Sequence, residues 1–336
     1  MKEITCRGTP RQMGNQYGEC AREEIQLQLE LFRSAGCCRI TERYVHSARE
    51  ILREFFPDIY EELQAVSEGA DVGFPELLSI NFADMFLDDE ERCTPVLLRS
   101  EKDGVIAAKN DDSLPNAQNP FVLLRRFPDH GIPTFSVTYA GFLSGLDCMN
   151  AAGLANTHGS VGSIFDQSGR RVDIRLAMMA LMSSCRNVNE LLSRLHSLPL
   201  CGKGYSIALA DCRDTLFVDA ALPHLVERDR GKTFDFSTNL YRAREVINAD
   251  RRPPHRRELC LKRTEYLEQK DAPRTVMELE MLLRDHSSPY APCRHGGTSG
   301  SVTNWSLICL PASGKVLLAA GQPCQTPYKE YDCDQH

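Results

Sequence analysis

The periodicity of the chain changes at residues 88–98, and this change constrains the fold more than any other feature. Residues 1–87 place apolar side chains at helical spacing, beginning with Met13 and Tyr17. From Cys93 onward the chain breaks into short apolar runs separated by turns rich in Gly and Asn, which is typical of antiparallel strands. The sequence therefore predicts a mostly helical segment joined to a β-rich one.

Tight turns divide the β-rich segment into hairpins, of which the first pairs 93–98 with 105–110. Helices are predicted again at 172–185, 187–197 and 254–286, between further groups of strands. This order predicts an α+β fold of packed layers with mostly antiparallel sheets. Because the chain shows no repeat and no Gly/Ser linker, we expect one compact unit.

Charge and hydropathy exclude several function classes. The 336 residues carry a net charge of −7 and no basic tract, which argues against nucleic-acid binding. No run approaches eighteen apolar residues, so no membrane span is predicted. The first residues lack an apolar signal core, and the default expectation is a cytoplasmic protein.

Fourteen cysteines are many for a chain of this length. None forms a C-x-x-C pair, and Cys37 and Cys38 are adjacent, which suits neither a disulfide nor a tetrahedral zinc site. We therefore expect free thiols and no metal site.

Cys93 is the candidate nucleophile, at the head of the first predicted strand. It follows Arg92 and the charged run 88–91, as expected for a loop that can be cut. Cleavage before Cys93 would create an α-amine with a pKa near about 7.7–8.0, suited to taking the thiol proton at neutral pH. The first hairpin also predicts that Asp112 lies near Cys93.

Two alternatives remain open from the residues alone. A thiol–imidazole pair could form between Cys93 and His158 or His295, both next to glycine turns. The chain could also be a non-catalytic binding protein that keeps the fold of an enzyme. Asparagine- and glycine-rich turns elsewhere can be structural, since both residues favour turns.

A set of short motifs, taken in order, resembles the isopenicillin N acyltransferase family, also called peptidase family C45. The resemblance covers nearly the whole chain and rests on the order and spacing of the motifs. The motifs are Cys6-Arg7-Gly8-Thr9-Pro10, 13–18, Leu78-Ser79-Ile80-Asn81, Cys93-Thr94, Lys109-Asn110-Asp111-Asp112, 145–153, Ser237-Thr238-Asn239 and Cys293-Arg294.

The resemblance implies a four-layer αββα fold of the N-terminal-nucleophile hydrolases. It implies a precursor that cuts its own chain before Cys93, leaving a helical light fragment 1–92 and a catalytic heavy fragment 93–336 that stay together. Carried over residue by residue, it implies Cys93 as nucleophile, Asp112 as the nearby acid, Asn239 as oxyanion donor and Arg294 as an arginine of the active site.

The resemblance also implies the class of substrate, an acyl amide or thioester of a small molecule or short peptide conjugate. Acyl-CoA is then a possible co-substrate, no resident cofactor is expected, and processed heterodimers could form a homo-oligomer. Side chains beside the nucleophile that could line the pocket are Thr94, Asn110, Asp111 and His158. The family's penicillin-forming enzymes have glycine where this chain has Arg92, so penicillin itself is not implied.

Overall fold

The computed structural model describes residues 1–34, 42–82, 93–113, 120–296 and 300–334. After strand β1 (Lys2–Gly8), the first part of the chain is helical, as its periodicity predicts. The helices are α1 (Pro10–Cys20), α2 (Arg22–Ser34), α3 (Glu42–Phe55), α4 (Pro57–Ala70) and α5 (Phe74–Phe82). Thr9 caps α1 in a capping box with Gln12, and Pro10 occupies the first turn.

The second part of the chain is built mainly of strands. They are β2 (Thr94–Ser100), β3 (Gly104–Ser113), β4 (Phe121–Pro128), β5 (Thr134–Tyr139), β6 (Cys148–Asn150), β7 (Ala155–Ser160), β8 (Val172–Asp173), β9 (Leu200–Cys201), β10 (Tyr205–Ala210), β11 (Thr215–Ala221), β12 (His224–Glu227), β13 (Phe234–Phe236), β14 (Val302–Leu310), β15 (Lys315–Ala319) and β16 (Lys329–Asp332). The helices among them are α6 (Ile174–Met182), α7 (Val188–His196), α8 (Pro254–Glu268) and α9 (Val276–Arg284).

Two large sheets contain most of these strands. Within the described residues, the first sheet has the order β1-β4-β5-β6-β7-β10-β11-β12, and the second has the order β13-β2-β3-β14-β15-β16. The pairing is antiparallel except for β1 with β4 and the small separate pair β8 with β9. The predicted first hairpin is confirmed, with Thr94 opposite Asn110.

The layers follow from where the buried apolar side chains lie. One core packs α1–α7 against the first sheet, with residues such as Tyr17 and Leu124. A second core lies between the sheets and contains Leu97 and Trp305, and a third packs α8 and α9 against the second sheet. The architecture is therefore the predicted four-layer αββα sandwich.

The helical segment is built into the first sheet. Strand β1 pairs in parallel with β4, so residues before the predicted cleavage site form an edge of this sheet. Glu62 of α4 and Arg126 of β4 form a buried ion pair in which Arg126 Nε donates to Glu62 Oε1 across 2.8 Å. These contacts join the predicted light and heavy fragments.

The stretch 254–286, which the sequence predicts to be helical, consists of two helices, α8 and α9. Pro273 lies between α8 and α9, and proline disfavours helical backbone at the residue before it. Thr275 then caps α9 by accepting a hydrogen bond from the Glu278 amide. Within the described residues, no helix has the length and hydropathy needed to cross a bilayer.

Candidate active site

Cys93 lies immediately before β2, and the strand register determines what its side chain can reach. Since Thr94 pairs with Asn110, Cys93 stands opposite Asp111. The Cys93 side chain is fully buried, and its Sγ donates a hydrogen bond to Asp111 Oδ1 across 3.3 Å. Arg92, the other residue of the predicted cleavage site, lies outside the described residues.

The expected neighbour of the thiol, Asp112, lies on the other face of the sheet. Side chains alternate along a strand, so Lys109 and Asp111 face the layer between the sheets while Asn110 and Asp112 face the helices. Asn110 accordingly donates to the Leu283 carbonyl of α9 across 2.8 Å. The sequence prediction had the correct tetrapeptide but the wrong one of its two carboxylates beside the thiol.

A buried row of charged groups continues from Asp111. Lys109 Nζ lies 3.0 Å from Asp111 and 2.7 Å from Asp147, whose other carboxylate oxygen is 3.1 Å from His158 Nδ1. Burial alone would lower the pKa of Lys109, but Asp147, Cys93 and Asp111 raise it well above its ordinary value. These anionic neighbours therefore favour the charged form of Lys109.

Asp147 is the matching anion of this row. Burial would raise the pKa of Asp147, but the neighbouring His158 and Lys109 hold it below its ordinary value. Asp147 has φ 56°, a left-handed backbone that aspartate tolerates better than most residues. This backbone conformation belongs to the loop that directs the carboxylate toward Lys109.

A cavity of about 40 Å³ lies beside the charged row. Its wall includes Asp111, Asp147, His158, Ser160, Arg175 and Trp305. Of the four predicted pocket residues, Asp111 and His158 line this cavity, whereas Thr94 and Asn110 point toward the helices. The volume suffices for only a few water molecules.

Arg263 of α8 connects the main chain at Cys93 to the predicted oxyanion residue. Its guanidinium donates to the Cys93 carbonyl across 2.9 Å, to Thr94 Oγ1 across 2.6 Å and to Asn239 Oδ1 across 3.0 Å. It also lies 3.8 Å from Asp112. Arg263 is fully buried. Its guanidinium therefore contacts four residues that the sequence analysis named, which are Cys93, Thr94, Asp112 and Asn239.

Sequence reasoning missed Arg263, although one signal was available. Cys260, Arg263 and Leu267 are spaced three and four residues apart and form the buried stripe of α8. An arginine on the apolar face of a helix requires buried partners, which is a reason to suspect a functional or structural network.

Asn239 sits in a tight turn after β13. Its φ of 64° is a left-handed conformation, which asparagine adopts more readily than other non-glycine residues. The Nδ2 group of Asn239 donates to the Ser160 carbonyl across 2.8 Å, and the Arg252 guanidinium donates to the main-chain carbonyl of Asn239. The side chain is thus fixed between the two sheets and Arg263.

Asp112 and Arg294 form a neighbouring group. Thr303 Oγ1 donates to Asp112 Oδ1 across 2.6 Å and accepts from the Arg294 amide across 2.8 Å. Burial raises the pKa of Asp112 to about 6, against the opposing effects of Arg294 and Arg263. Thr303 thus links Asp112 and Arg294 by hydrogen bonds. Asp112 is linked to Cys93 by Arg263, which lies near the Asp112 carboxylate and donates to the Cys93 carbonyl.

The two histidines considered as partners of the thiol have other contacts. His158 lies against Asp147 and packs edge-on against Tyr205. His295 Nε2 lies 3.1 Å from Cys324 Sγ, in the segment around Arg294. The hydrogen bond of the Cys93 thiol goes to a carboxylate, an arrangement that does not favour a thiol–imidazole pair.

Residues 99–325 match the model of the acyl-coenzyme A:6-aminopenicillanic acid acyl-transferase family. The chain belongs to this family. The matched segment begins after Cys93 and contains Asp112, Asn239, Arg263 and Arg294. Family membership thus rests on the β-rich segment and α8–α9, and it includes the arginine that sequence reasoning missed.

A curated relative carries the same name. Over 166 residues the chain is 25% identical to the 40 kDa form of acyl-coenzyme A:6-aminopenicillanic-acid-acyltransferase from Emericella nidulans, and the match covers 46% of each protein. The chain thus spans about half the length of this curated relative.

A solved structure shares the fold of this chain. A single-substitution variant of conjugated bile acid hydrolase from Clostridium perfringens superposes with a TM-score of 0.50 at 11% identity, over 73% of this chain and 93% of that one. Penicillin V acylase from Agrobacterium tumefaciens gives 0.46 at 14% identity, over 71% and 86%. The likeness to the bile acid hydrolase shows a shared fold, and it agrees with the four-layer αββα sandwich that the sequence resemblance implied.

Proposed function

We propose that this chain is a self-processing amide hydrolase or N-acyltransferase whose nucleophile is Cys93. The observation that carries the proposal is the position of Cys93 immediately before β2. Its thiol donates a hydrogen bond to Asp111, and its carbonyl accepts one from Arg263. The names of the family and of the similar proteins support acyl transfer or hydrolysis at an amide. These names refer to acyl-CoA, penicillin V and conjugated bile acids.

In the proposed maturation, the Cys93 thiol attacks the Arg92 carbonyl and the peptide bond becomes a thioester as its nitrogen becomes the Cys93 amine. Water then hydrolyses the thioester, which restores the thiol and leaves a carboxylate on Arg92. Arg263 supports this step because it fixes the Cys93 carbonyl and thereby the direction of the strand that carries the thiol.

In the proposed catalytic cycle, the new α-amine accepts the thiol proton and the thiolate attacks an acyl amide or thioester. The tetrahedral oxyanion needs hydrogen-bond donors, and the Nδ2 group of Asn239 is the candidate side chain. The leaving amine or CoA thiol departs with the proton, and water or an acceptor amine takes the acyl group from Cys93.

The charged row beside the thiol has a role in this proposal. Lys109, which pairs with Asp111 and Asp147, attracts the thiolate electrostatically, whereas the Asp111 carboxylate that accepts the thiol hydrogen bond opposes its ionisation. In this proposal Lys109 has an electrostatic role and the α-amine is the base that accepts the thiol proton. Neither His158 nor His295 is needed as a base.

The test is a substrate panel with matched cysteine variants. Purified protein is incubated with N-acyl amides and with acyl-CoA thioesters plus acceptor amines, and released amine, released CoA and new amide are quantified. Wild type and Cys212→Ala, which alters an exposed cysteine, are expected to react with the same substrates, while Cys93→Ala is inactive. Turnover by Cys93→Ala at the wild-type rate would overturn the proposal.

A further inference from the structure

Two cysteines and two histidines lie close together around Arg294. His286 follows α9, Cys293 and His295 flank Arg294, and Cys324 lies in the turn before β16. Ligand atoms of His286, His295 and Cys324 all lie within 4.8 Å of one another. Cys293 Sγ adds to this group, 3.4 Å from Cys324 Sγ and 3.7 Å from His295 Nε2.

We propose that His286, Cys293, His295 and Cys324 form a structural zinc site. Two thiolates and two imidazoles are a ligand set that zinc prefers, and four protein ligands complete its tetrahedral shell. The thiolates balance the charge of the ion, and their two protons pass to solvent on binding.

The distances between the ligand atoms fit this geometry. Zn–S and Zn–N bonds of about 2.3 and 2.0–2.1 Å place tetrahedral ligand atoms about 3.3–3.8 Å apart. Cys293, Cys324 and His295 form a triangle with edges of 3.4, 3.1 and 3.7 Å. This triangle is close to one face of a zinc tetrahedron. A ligand atom of His286 lies within 4.8 Å of those of His295 and Cys324, and in this proposal it moves toward Cys293 to occupy the remaining corner when zinc binds.

The supporting hydrogen bonds also suit a metal site. His286 Nδ1 lies 2.9 Å from the Arg284 carbonyl, which leaves Nε2 of this ring as the ligand atom. A backbone carbonyl on the second ring nitrogen is the usual partner of a metal-binding histidine. His286 and His295 are both exposed, so an ion from solvent can reach the cluster.

Hydrogen bonds already shape the loop that carries His286 and Cys293. The Cys293 amide donates to the Asp285 carbonyl across 2.9 Å. The Asp285 carboxylate accepts from Tyr266 across 2.6 Å and from the Ser287 amide across 2.9 Å. This loop therefore has a defined shape without metal, and zinc would add a cross-link to the turn at Cys324.

The cross-link would brace the segment of Arg294. Gln322, in the turn of Cys324, donates to the Arg294 carbonyl across 2.9 Å, and the Arg294 amide is bonded to Thr303. Zinc at this site would therefore hold Arg294 next to Asp112. The site is structural in this proposal and takes no part in the reaction at Cys93.

The experiment measures zinc directly in the full-length protein. The chain is purified under reducing conditions without chelator, and zinc per chain is determined by elemental analysis after gel filtration. About one zinc is expected in wild type, in Cys212→Ser and in His224→Ala, which alter an exposed cysteine and an exposed histidine. Cys324→Ser and His286→Ala are expected to contain little or none.

A second measurement covers the case in which purification strips the ion. Zinc alone is titrated into the protein in competition with a chromophoric chelator, and loss of one ligand is expected to weaken binding by at least the about 10–100-fold that loss of an outer-shell partner costs. Equal zinc affinity in wild type and Cys324→Ser would overturn the proposal. A Cys293–Cys324 disulfide in freshly purified protein that binds no zinc after reduction would also overturn it. Neither result depends on the activity of Cys93.

Discussion

Arg263 donates a hydrogen bond to the main-chain carbonyl of Cys93 across 2.9 Å and another to Asn239 Oδ1 across 3.0 Å. A helix of the outer layer thereby fixes both the start of the strand that follows the proposed nucleophile and the turn that carries the candidate oxyanion donor. The guanidinium is fully buried and lies 3.8 Å from Asp112.

Replacing Arg263 tests whether this network positions Cys93. Arg263→Met keeps much of the side-chain volume but leaves the buried Asp112 carboxylate with one cation fewer. We expect the free energy of unfolding to fall by about 3–5 kcal/mol and self-cleavage to slow or stop. Urea denaturation and denaturing electrophoresis measure the two effects.

The matched control is Lys262→Met, at the adjacent but exposed position of α8. It removes only a surface ion pair with Glu258, so it is expected to change stability by less than about 0.5 kcal/mol. If Arg263→Met were processed at the wild-type rate and were as stable as the control, the network would have no positioning role.

Asp112 predicts a dependence of stability on pH. Its pKa is raised to about 6 in the folded protein, against about 3.9 when unfolded, so the folded state binds a proton more tightly. Its contribution is therefore full below pH 4 and is lost as the pH rises through about 6. The difference amounts to about 3 kcal/mol.

The measurement compares Cys93→Ala with Cys93→Ala/Asp112→Asn, so that processing does not differ between the two proteins. Urea unfolding at pH 4.5 to 7.5 should show stability falling with pH more steeply in the first protein than in the second. Parallel curves for the two proteins would contradict the assignment of the slope to Asp112.

Glu62 and Arg126 join the predicted light and heavy fragments. Both side chains are buried, so Glu62→Ala leaves the Arg126 guanidinium without its carboxylate and should cost about 3–5 kcal/mol. Glu68→Ala on the same helix breaks only an exposed pair with Arg11 and should cost less than about 1 kcal/mol. Equal unfolding midpoints for the two variants in urea would contradict this ranking.

The sequence was informative where the structure depends on local rules. Turn residues determine the first hairpin, and the change of period at 88–98 locates the start of β2. The choice between Asp111 and Asp112 depends on strand phase, since a shift of one residue exchanges the two faces. The predicted phase was off by one, and it selected the wrong carboxylate.

Features that depend on distant contacts could not be predicted. Arg263 lies 170 residues from Cys93 along the chain, and neither residue carries a pattern that refers to the other. The parallel pairing of β1 with β4 likewise joins segments from either side of the predicted cleavage site. The cluster around Cys293 was missed because its ligands are not arranged as C-x-x-C, the spacing by which zinc sites are usually found in a sequence.

The most direct test of the proposed mechanism is the N-terminal sequence of the heavy fragment. Purified wild type is separated under denaturing conditions, its bands are sequenced, and Cys93→Ala is treated identically. We predict two wild-type fragments, of which the larger begins Cys93-Thr94-Pro95-Val96, and one intact chain for Cys93→Ala. An active wild-type protein that remains a single chain beginning before Cys93 would contradict the account.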